Sequence, residues 1–158
     1  MLKLYRLTET AKEYWETWEE SEGSHVVHWG VLGTKGKTKN VPLMEDEEIP
    51  ANIRRKIDEL RSQGFKEIEP EDHFTLMIEY AVEGMGTKKD LKKRHRLEDL
   101  MNETLGWVGL GACDGGSIGM DTMEVCNLVV DYDIAKRVVE AALVDTEFAD
   151  YKRIYLEE

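Results

Sequence analysis

The stretch at residues 28–39, HWGVLGTKGKTK, most constrains how this chain can fold. A strand is predicted at 25–32, with the pair Trp29-Gly30 near its end. A tight turn with two glycines follows at 33–37, and a short strand is predicted at 38–41. Glycine suits such a turn because it adopts backbone angles that other residues avoid. The pattern therefore predicts two strands joined by a turn rich in glycine and lysine.

The elements around this pair of strands are also visible in the sequence. Strands are predicted at Leu2–Leu7 and 14–18, where apolar and polar residues mix in a way that suits a sheet. A helix is predicted over Ala51–Ser62, because Ile53, Ile57 and Leu60 recur at helical spacing. Gly64 is expected to end that helix. The acidic run at 45–48 is expected to be a solvated loop, and 65–68 a returning strand.

This order of elements, centred on Trp29-Gly30, resembles the WGR domain family. That family is named for a Trp-Gly-Arg signature and occurs in poly(ADP-ribose) polymerases and in bacterial regulator-like proteins. The resemblance covers about residues 2–66, and Val31 stands where the family has its arginine. It implies an antiparallel sheet with one helix over residues 1–69, and a binding module without catalytic activity.

The resemblance also implies a site, since this region of the family meets DNA near strand ends. The resemblance implies that Trp29 and Gly30 are candidate DNA-contact residues, with Lys35 beside them. In physical terms, Lys35, Lys37 and Lys39 supply positive charge for phosphates. An indole can stack on a base or sugar. The alternative is that Trp29 belongs to the core and the lysines form a solvated hairpin tip.

The sequence 69–71, Glu-Pro-Glu, is the best predicted domain boundary. Beyond it, strands are predicted at 74–82, 107–112, 123–130 and 151–156. Helices are predicted at 88–105 and at 134–143, the second capped by Asp133. The order βαββαβ predicts a ferredoxin-like α+β domain over residues 71–158. The segment GWVGLGACDGG at 106–116 is also similar to uncharacterised bacterial ferredoxin-like domains.

A glycine-rich loop is predicted at 114–119, within the segment GACDGGSIGMD. Glycines beside a carboxylate and a hydroxyl expose backbone amides that could accept a small ligand. The candidate ligand residues are Asp114, Gly115, Gly116 and Ser117. The segment has neither a P-loop lysine nor a GxGxxG pattern. A long hairpin connection between two central strands explains the same glycines.

A basic run at 88–96 is the other charged feature, with six Lys and Arg in nine positions. Such a run could meet phosphates or an acidic surface, although charge runs are usually solvated faces. Glu98, Asp99 and Glu103 follow on the same predicted helix and offer it partners at helical spacing.

The sequence offers few residues in patterns typical of catalytic or metal-binding sites. Cys113 would need a base such as His73 or His95 to be brought to it by the fold. Cys113 and Cys126 are expected to be reduced thiols buried as small apolar residues. His25 and His28 are three residues apart in a predicted strand and so point to opposite faces. We therefore expect no enzyme activity, no metal and no cofactor.

Net charge and hydropathy indicate which classes of partner to expect. The chain carries −12, of which −3 falls on residues 1–70 and −9 on residues 71–158. An acidic field favours basic partners, so an alternative function is an acidic protein-binding partner of inhibitor or immunity type. An enzyme with a ligand beside the loop at 111–121 is a third reading. No apolar run approaches the roughly 20 residues that span a bilayer, so no membrane contact and a cytoplasmic location are expected.

Overall fold

A computed structural model describes residues 1–21, 23–42 and 50–158 of this chain. Within these residues the chain forms two antiparallel four-stranded sheets and three α-helices, so it is an α+β protein. It divides into two compact units, Met1–Ile68 and Glu69–Glu158. Among the described residues, no helix combines the length and the apolar character needed to cross a bilayer.

The first unit is an antiparallel sheet with neighbouring strands consecutive in sequence. Its four strands are β1 (Leu2–Leu7), β2 (Lys12–Ser21), β3 (Ser24–Val31) and β4 (Lys37–Pro42). The helix α1 spans Ala51–Ser62, as its apolar spacing predicts. The predicted strand at 65–68 is reduced to a single bridge between Tyr5 and Lys66. The acidic run at 45–48 lies outside the described residues.

The core of this unit lies between α1 and one face of the sheet. Alternate strand residues share a face, so Leu4, Trp15 and Val27 point the same way. The buried core cluster consists of Leu4, Trp15, Val27, Val41, Ile53, Leu60 and Phe65. Each large apolar side chain buried here contributes on the order of 1.5–3 kcal/mol.

Gly64 ends α1, as the sequence predicts. Its φ is +94°, in the left-handed region that favours glycine. The amide of Phe65 donates to the carbonyl of Leu60 at 3.0 Å, and that of Gly64 to Arg61 at 3.2 Å. These two bonds define a Schellman motif, which turns the chain so that Phe65 enters the core.

The second unit has its strands in the order β6-β7-β5-β8. Its elements are β5 (Phe74–Ala81), α2 (Lys88–Gly106), β6 (Gly111–Gly119), β7 (Thr122–Val129), α3 (Tyr132–Leu143) and β8 (Arg153–Glu157). The helix α2 packs on β6, β7 and α3, and α3 packs on β5. Leu76, Ile78 and Val125 lie on one face of the sheet and are fully buried.

The prediction of a strand at 107–112 is wrong over its first residues. The helix α2 continues to Gly106, and β6 begins only at Gly111. Gly109 has a φ of +73°, and the amide of Leu110 donates to the carbonyl of Leu105 at 3.0 Å. The glycine here ends a helix, which is the same use of glycine as at Gly64.

The predicted loop at 114–119 is also wrong, because these residues belong to the edge strand β6. The connection to β7 is only the two-residue turn Met120-Asp121, with φ values of 52° and 69°. The glycines permit close packing instead. A Cβ on Gly116 would lie 2.5 Å from the carbonyl oxygen of Glu124 and 3.0 Å from Cδ of Arg94.

Two smaller predictions are corrected near the C-terminal end. Asp131, rather than Asp133, caps α3, because its Oδ1 accepts a hydrogen bond from the amide of Ile134 at 2.9 Å. The helix consequently begins at Tyr132. The last strand is Arg153–Glu157 rather than 151–156, since residues 151 and 152 are irregular and follow a turn at 147–150.

Candidate functional site

Trp29 and two of the candidate lysines lie on one face of the first sheet. Trp29 on β3 is directly opposite Lys37 on β4, and Val27 is opposite Lys39. Directly opposite residues of an antiparallel pair share a face, as do alternate residues along one strand. Trp29 is partly buried and packs against the core cluster, whereas Lys37 and Lys39 are exposed. One part of the indole therefore packs against the core, and the rest is exposed to solvent on the face that carries the two lysines.

Gly30 allows the turn after β3 to fold back on the strand. A Cβ on Gly30 would lie 2.7 Å from Cα of Gly36. A Cβ on Gly36, whose φ is +63°, would lie 2.0 Å from the carbonyl oxygen of Trp29. Both distances are shorter than real side chains allow, so the two glycines form a backbone contact that brings the turn against Trp29.

Two buried side chains also hold this turn in place through hydrogen bonds to its backbone carbonyls. The hydroxyl of Tyr14 donates to the carbonyl of Thr34 at 2.7 Å. Nε2 of His28 lies 2.6 Å from the carbonyl oxygen of Lys35. A carbonyl can only accept, so Nε2 carries the hydrogen of that bond. With its carbonyl held inward, Lys35 keeps its side chain exposed.

The polar network continues from His28 to Glu16. Nδ1 of His28 lies 2.7 Å from Oε1 of Glu16, and both side chains are buried. Lys3 approaches the other carboxylate oxygen of Glu16 at 3.9 Å. Burial, with the nearby Glu16 as a smaller cause, raises the pKa of Tyr14 to about 12. The Tyr14 hydroxyl therefore keeps its proton, and its bond to the turn, at physiological pH.

A cavity of about 590 Å³ opens beside Trp29, between the sheet and α1. Its apolar wall includes Trp15, Val27, Trp29, Val31, Val41, Ile53, Leu60 and Phe65. Its polar residues are Arg6, Glu13, Asn52, Lys39, Lys56 and Gln63. The structure thus brings Trp29, Gly30 and Lys39 into one cavity, while Lys35 and Lys37 lie outside its lining.

Arg6 and Glu13 form a closed pair within this cavity. Nε and Nη2 of Arg6 lie 3.0 Å and 2.5 Å from Oε2 of Glu13. The guanidinium also stacks 4.9 Å from the ring centre of Phe65 and donates to the carbonyl of Gln63. These contacts neutralise Arg6, so the lysines carry the net charge of the cavity.

Sequence reasoning missed Lys56, although a signal for it existed. Ile53, Lys56 and Leu60 are spaced i, i+3 and i+7 and share one face of α1. Two of these are buried against the sheet, so the third must lie beside the core. What the sequence could not provide is the strand that this face meets.

The second candidate group, Asp114 to Ser117, lies in the second unit. Asp114 is the bulge residue of β6, because Cys113 pairs with Asn127 and Gly115 with Cys126. Gly115 and Gly116 are paired strand residues, and Ser117 lies opposite Glu124. The ligand role of this group stays a prediction, but its premise of a glycine-rich loop is wrong.

The two thiols near this strand, Cys113 and Cys126, are free and only partly buried. Burial raises the pKa of Cys113 and of Cys126, which disfavours the nucleophilic thiolate. Over residues 1–21, 23–42 and 50–158, no cluster of three or more His, Cys, Asp or Glu could hold a metal ion.

Three of the six Lys and Arg in the basic run on α2 are paired with acids. Lys93 lies 2.8 Å from Asp150, and Arg96 pairs with Glu147 at 2.5 Å. Arg94 lies 3.1 Å from Glu98 on the same helix. Lys88, Lys89 and Lys92 are exposed. The run therefore presents less free positive charge than its sequence indicates.

A second charged cluster lies on the second sheet, on β5, β7 and β8. The guanidinium of Arg153 lies 3.1 Å and 3.2 Å from the two carboxylate oxygens of Glu79. The Arg153 hydrogen bond holds the pKa of the buried Glu79 carboxyl below its usual value. Tyr155 donates to Glu124 at 3.2 Å and stacks beneath Arg153.

Comparison of the chain with models of protein families, with curated proteins and with solved structures found no match in any of the three.

Proposed function

We propose that this protein is a non-catalytic binding protein whose first unit is a WGR-like module that contacts nucleic acid. The contact surface consists of Trp29, Gly30, Lys35, Lys37 and Lys39. The observation that carries this proposal is the direct pairing of Trp29 with Lys37 across β3 and β4. It sets a partly exposed indole on the same sheet face as the exposed residues Lys37 and Lys39.

The chemistry of this surface suits a phosphate backbone with an accessible base or sugar. Aromatic stacking on a base contributes roughly 1–3 kcal/mol and tolerates any sequence. Lysines add a salt-dependent attraction to phosphates. Val31, at the position of the family's arginine, is 60 % exposed and contributes no charge, so the lysines must supply it.

The architecture supports the family assignment in both units. One four-stranded antiparallel sheet with one helix suits a WGR-like module. The order βαββαβ of the second unit, with α2 packed on α3, suits a ferredoxin-like domain. Two domains at 1–69 and 71–158, and a cytoplasmic location, belong to the same proposal.

Fluorescence anisotropy with labelled DNA that carries a nick or free ends tests the contact. Wild-type protein should bind at low salt and weaken steeply as salt rises. The double variant Lys35→Ala/Lys37→Ala should bind more weakly, with a salt slope smaller by about 1.8, which corresponds to two lost phosphate contacts. Trp29→Ala should weaken binding at every salt concentration.

The matched control is Lys89→Ala/Lys92→Ala, which removes the same charge from exposed positions on α2. It should leave DNA binding near the wild-type value. Absence of binding by the wild type at low salt would overturn the proposal. Equal losses in the two double variants would overturn the assigned surface.

A second candidate function is an acidic partner of a basic protein, of inhibitor or immunity type. The net charge of −9 on residues 71–158 favours it, because an acidic field attracts a basic partner surface. The test is to isolate complexes of the tagged chain at low salt and to rebuild each with the purified partner. A basic partner that dissociates at high salt would support this function. Recovery of no basic protein in a rebuilt complex would count against it.

A further inference from the structure

We propose that the cavity between α1 and the first sheet is a binding site for a small organic carboxylate with an aromatic or branched apolar body. The ligand would place its apolar body against the buried wall and its carboxylate at Lys39. This site is separate in function from the proposed nucleic-acid contact, although Trp29 and Lys39 border both.

The size and lining of the cavity fit a small molecule. Its volume of about 590 Å³ lies within the range of roughly 300–1,000 Å³ that small-ligand sites occupy. Most of the lining is aliphatic or aromatic, and a few polar groups stand at its rim. Such sites use apolar contact for affinity and a small number of polar groups for orientation.

The apolar wall of the cavity has two sides. The sheet contributes flat aromatic side chains, and α1 contributes branched aliphatic ones. Trp15 and Trp29 are directly opposite each other on β2 and β3. Ile53 and Leu60 approach from α1. An aromatic or branched body seated in the cavity would bury apolar area against both surfaces, which favours binding.

The charged side chains at the rim of the cavity favour a ligand with a single negative charge. Arg6 is neutralised by Glu13, as described above. Lys56 lies 3.7 Å from Glu59, a partial compensation at the surface. Among the described residues, no carboxylate lies within 4.0 Å of the Lys39 ammonium group. Among the described lining residues, one uncompensated lysine and one partly compensated lysine match a monoanion better than a phosphate dianion.

Isothermal titration calorimetry with 2-naphthylacetate tests the site. The neutral amide, 2-naphthylacetamide, has the same apolar body and should bind about 10-fold more weakly, because it lacks the charge-assisted contact. Acetate alone should not bind detectably, because it lacks the apolar body. 2-Naphthyl phosphate should bind no more tightly than the carboxylate.

Three lysine variants locate the contact. Lys39→Ala should weaken 2-naphthylacetate about 10-fold and reduce its preference over the amide. Lys56→Ala should weaken it by about 3-fold, since that lysine is already paired. Lys37→Ala is the matched control, because Lys37 is on the same strand and face but outside the cavity lining. It should leave the affinity unchanged.

Several outcomes would overturn the site. They are the absence of 2-naphthylacetate binding at millimolar concentration, equal affinity for the amide, and equal effects of Lys39→Ala and Lys37→Ala. Tighter binding of the phosphate would overturn the single-charge assignment. The variants also separate this site from the nucleic-acid contact. Lys37→Ala should weaken DNA but not the carboxylate, and Lys56→Ala should do the reverse.

Discussion

Nδ1 of His28 lies 2.7 Å from Oε1 of Glu16, and the opposite nitrogen of the same ring contacts the carbonyl of Lys35. One buried imidazole thus links the centre of the first sheet to the turn that carries the candidate lysines. Removing either end of this link leaves a buried polar group without its partner, which costs more than the bond itself contributes.

Glu16→Gln should lower the free energy of unfolding by about 1.5 kcal/mol, because a neutral amide replaces the carboxylate that contacts the buried His28 ring. Hydrogen exchange of the Thr34 amide, which donates to the carbonyl of Val31 at 3.0 Å, should accelerate as the turn loses its anchor. Urea denaturation and exchange followed by NMR measure the two effects.

The control for that variant is Glu19→Gln, which makes the same change at an exposed position of β2. It should alter the free energy of unfolding by less than about 0.5 kcal/mol. A Glu16→Gln protein as stable as this control would show that the network contributes nothing to the fold.

Gly36→Ala should destabilise the first unit strongly, by about 3 kcal/mol, since it adds a steric overlap to an unfavourable φ. The new Cβ would lie 2.0 Å from the Trp29 carbonyl oxygen. Gly23→Ala is the matched control, because Gly23 has a φ of +79° and no described residue has an atom within 4 Å of the added Cβ. It should cost only about 1 kcal/mol. Thermal unfolding compares the two, and equal costs would exclude the backbone contact.

Glu79 should make stability depend on acid pH. Its hydrogen bonds to Arg153 hold its folded pKa below its usual value near 4.5. Stability from a depressed carboxyl pKa is fully present above the unfolded pKa and is lost as pH falls through the folded pKa. The difference in unfolding free energy between wild type and Glu79→Gln should therefore stay constant from pH 7 to 6 and shrink below about pH 4.

Urea denaturation at pH 7, 6, 4 and 3 measures this difference. Glu83→Gln, at an exposed position beyond β5, is the control and should give a small difference throughout. A difference for Glu79→Gln that is unchanged at pH 3 would contradict the lowered pKa.

The sequence predicts those elements in which local signals agree. The helix α1 has apolar residues at helical spacing and a glycine at its end, and both of its bounds agree with the structure. The segment at 106–119 fails because one residue type serves three purposes. Gly109 ends a helix, Gly111 allows close strand pairing, and Gly116 makes room for Arg94. Composition alone cannot separate these uses.

The candidate site was also predictable only in part, because its geometry depends on long-range packing. Trp29 and the lysines are visible as a motif, but their common face depends on the register between β3 and β4. Register follows from the turn geometry and from which face is buried. The place of Lys56 depends on the packing of α1 against the sheet, which is a long-range property.

Met120→Asn should stabilise the second unit. Met120 occupies the first position of the two-residue turn between β6 and β7, with a φ of +52°, and it is 88 % exposed. A left-handed conformation costs an ordinary residue roughly 1–2 kcal/mol, and asparagine adopts it more readily. Little apolar contact is lost at so exposed a position. We expect a gain of about 0.5–1 kcal/mol, measured by thermal unfolding.

Met85→Asn is the matched control for this turn. Met85 is 74 % exposed, and its φ is not positive. The same substitution there should bring no gain. Asp121 must stay unchanged in both variants, because its Oδ1 accepts from the amide of Gly84 at 2.7 Å. Equal shifts in the two variants would show that removal of an exposed methionine, and not relief of backbone strain, is the cause.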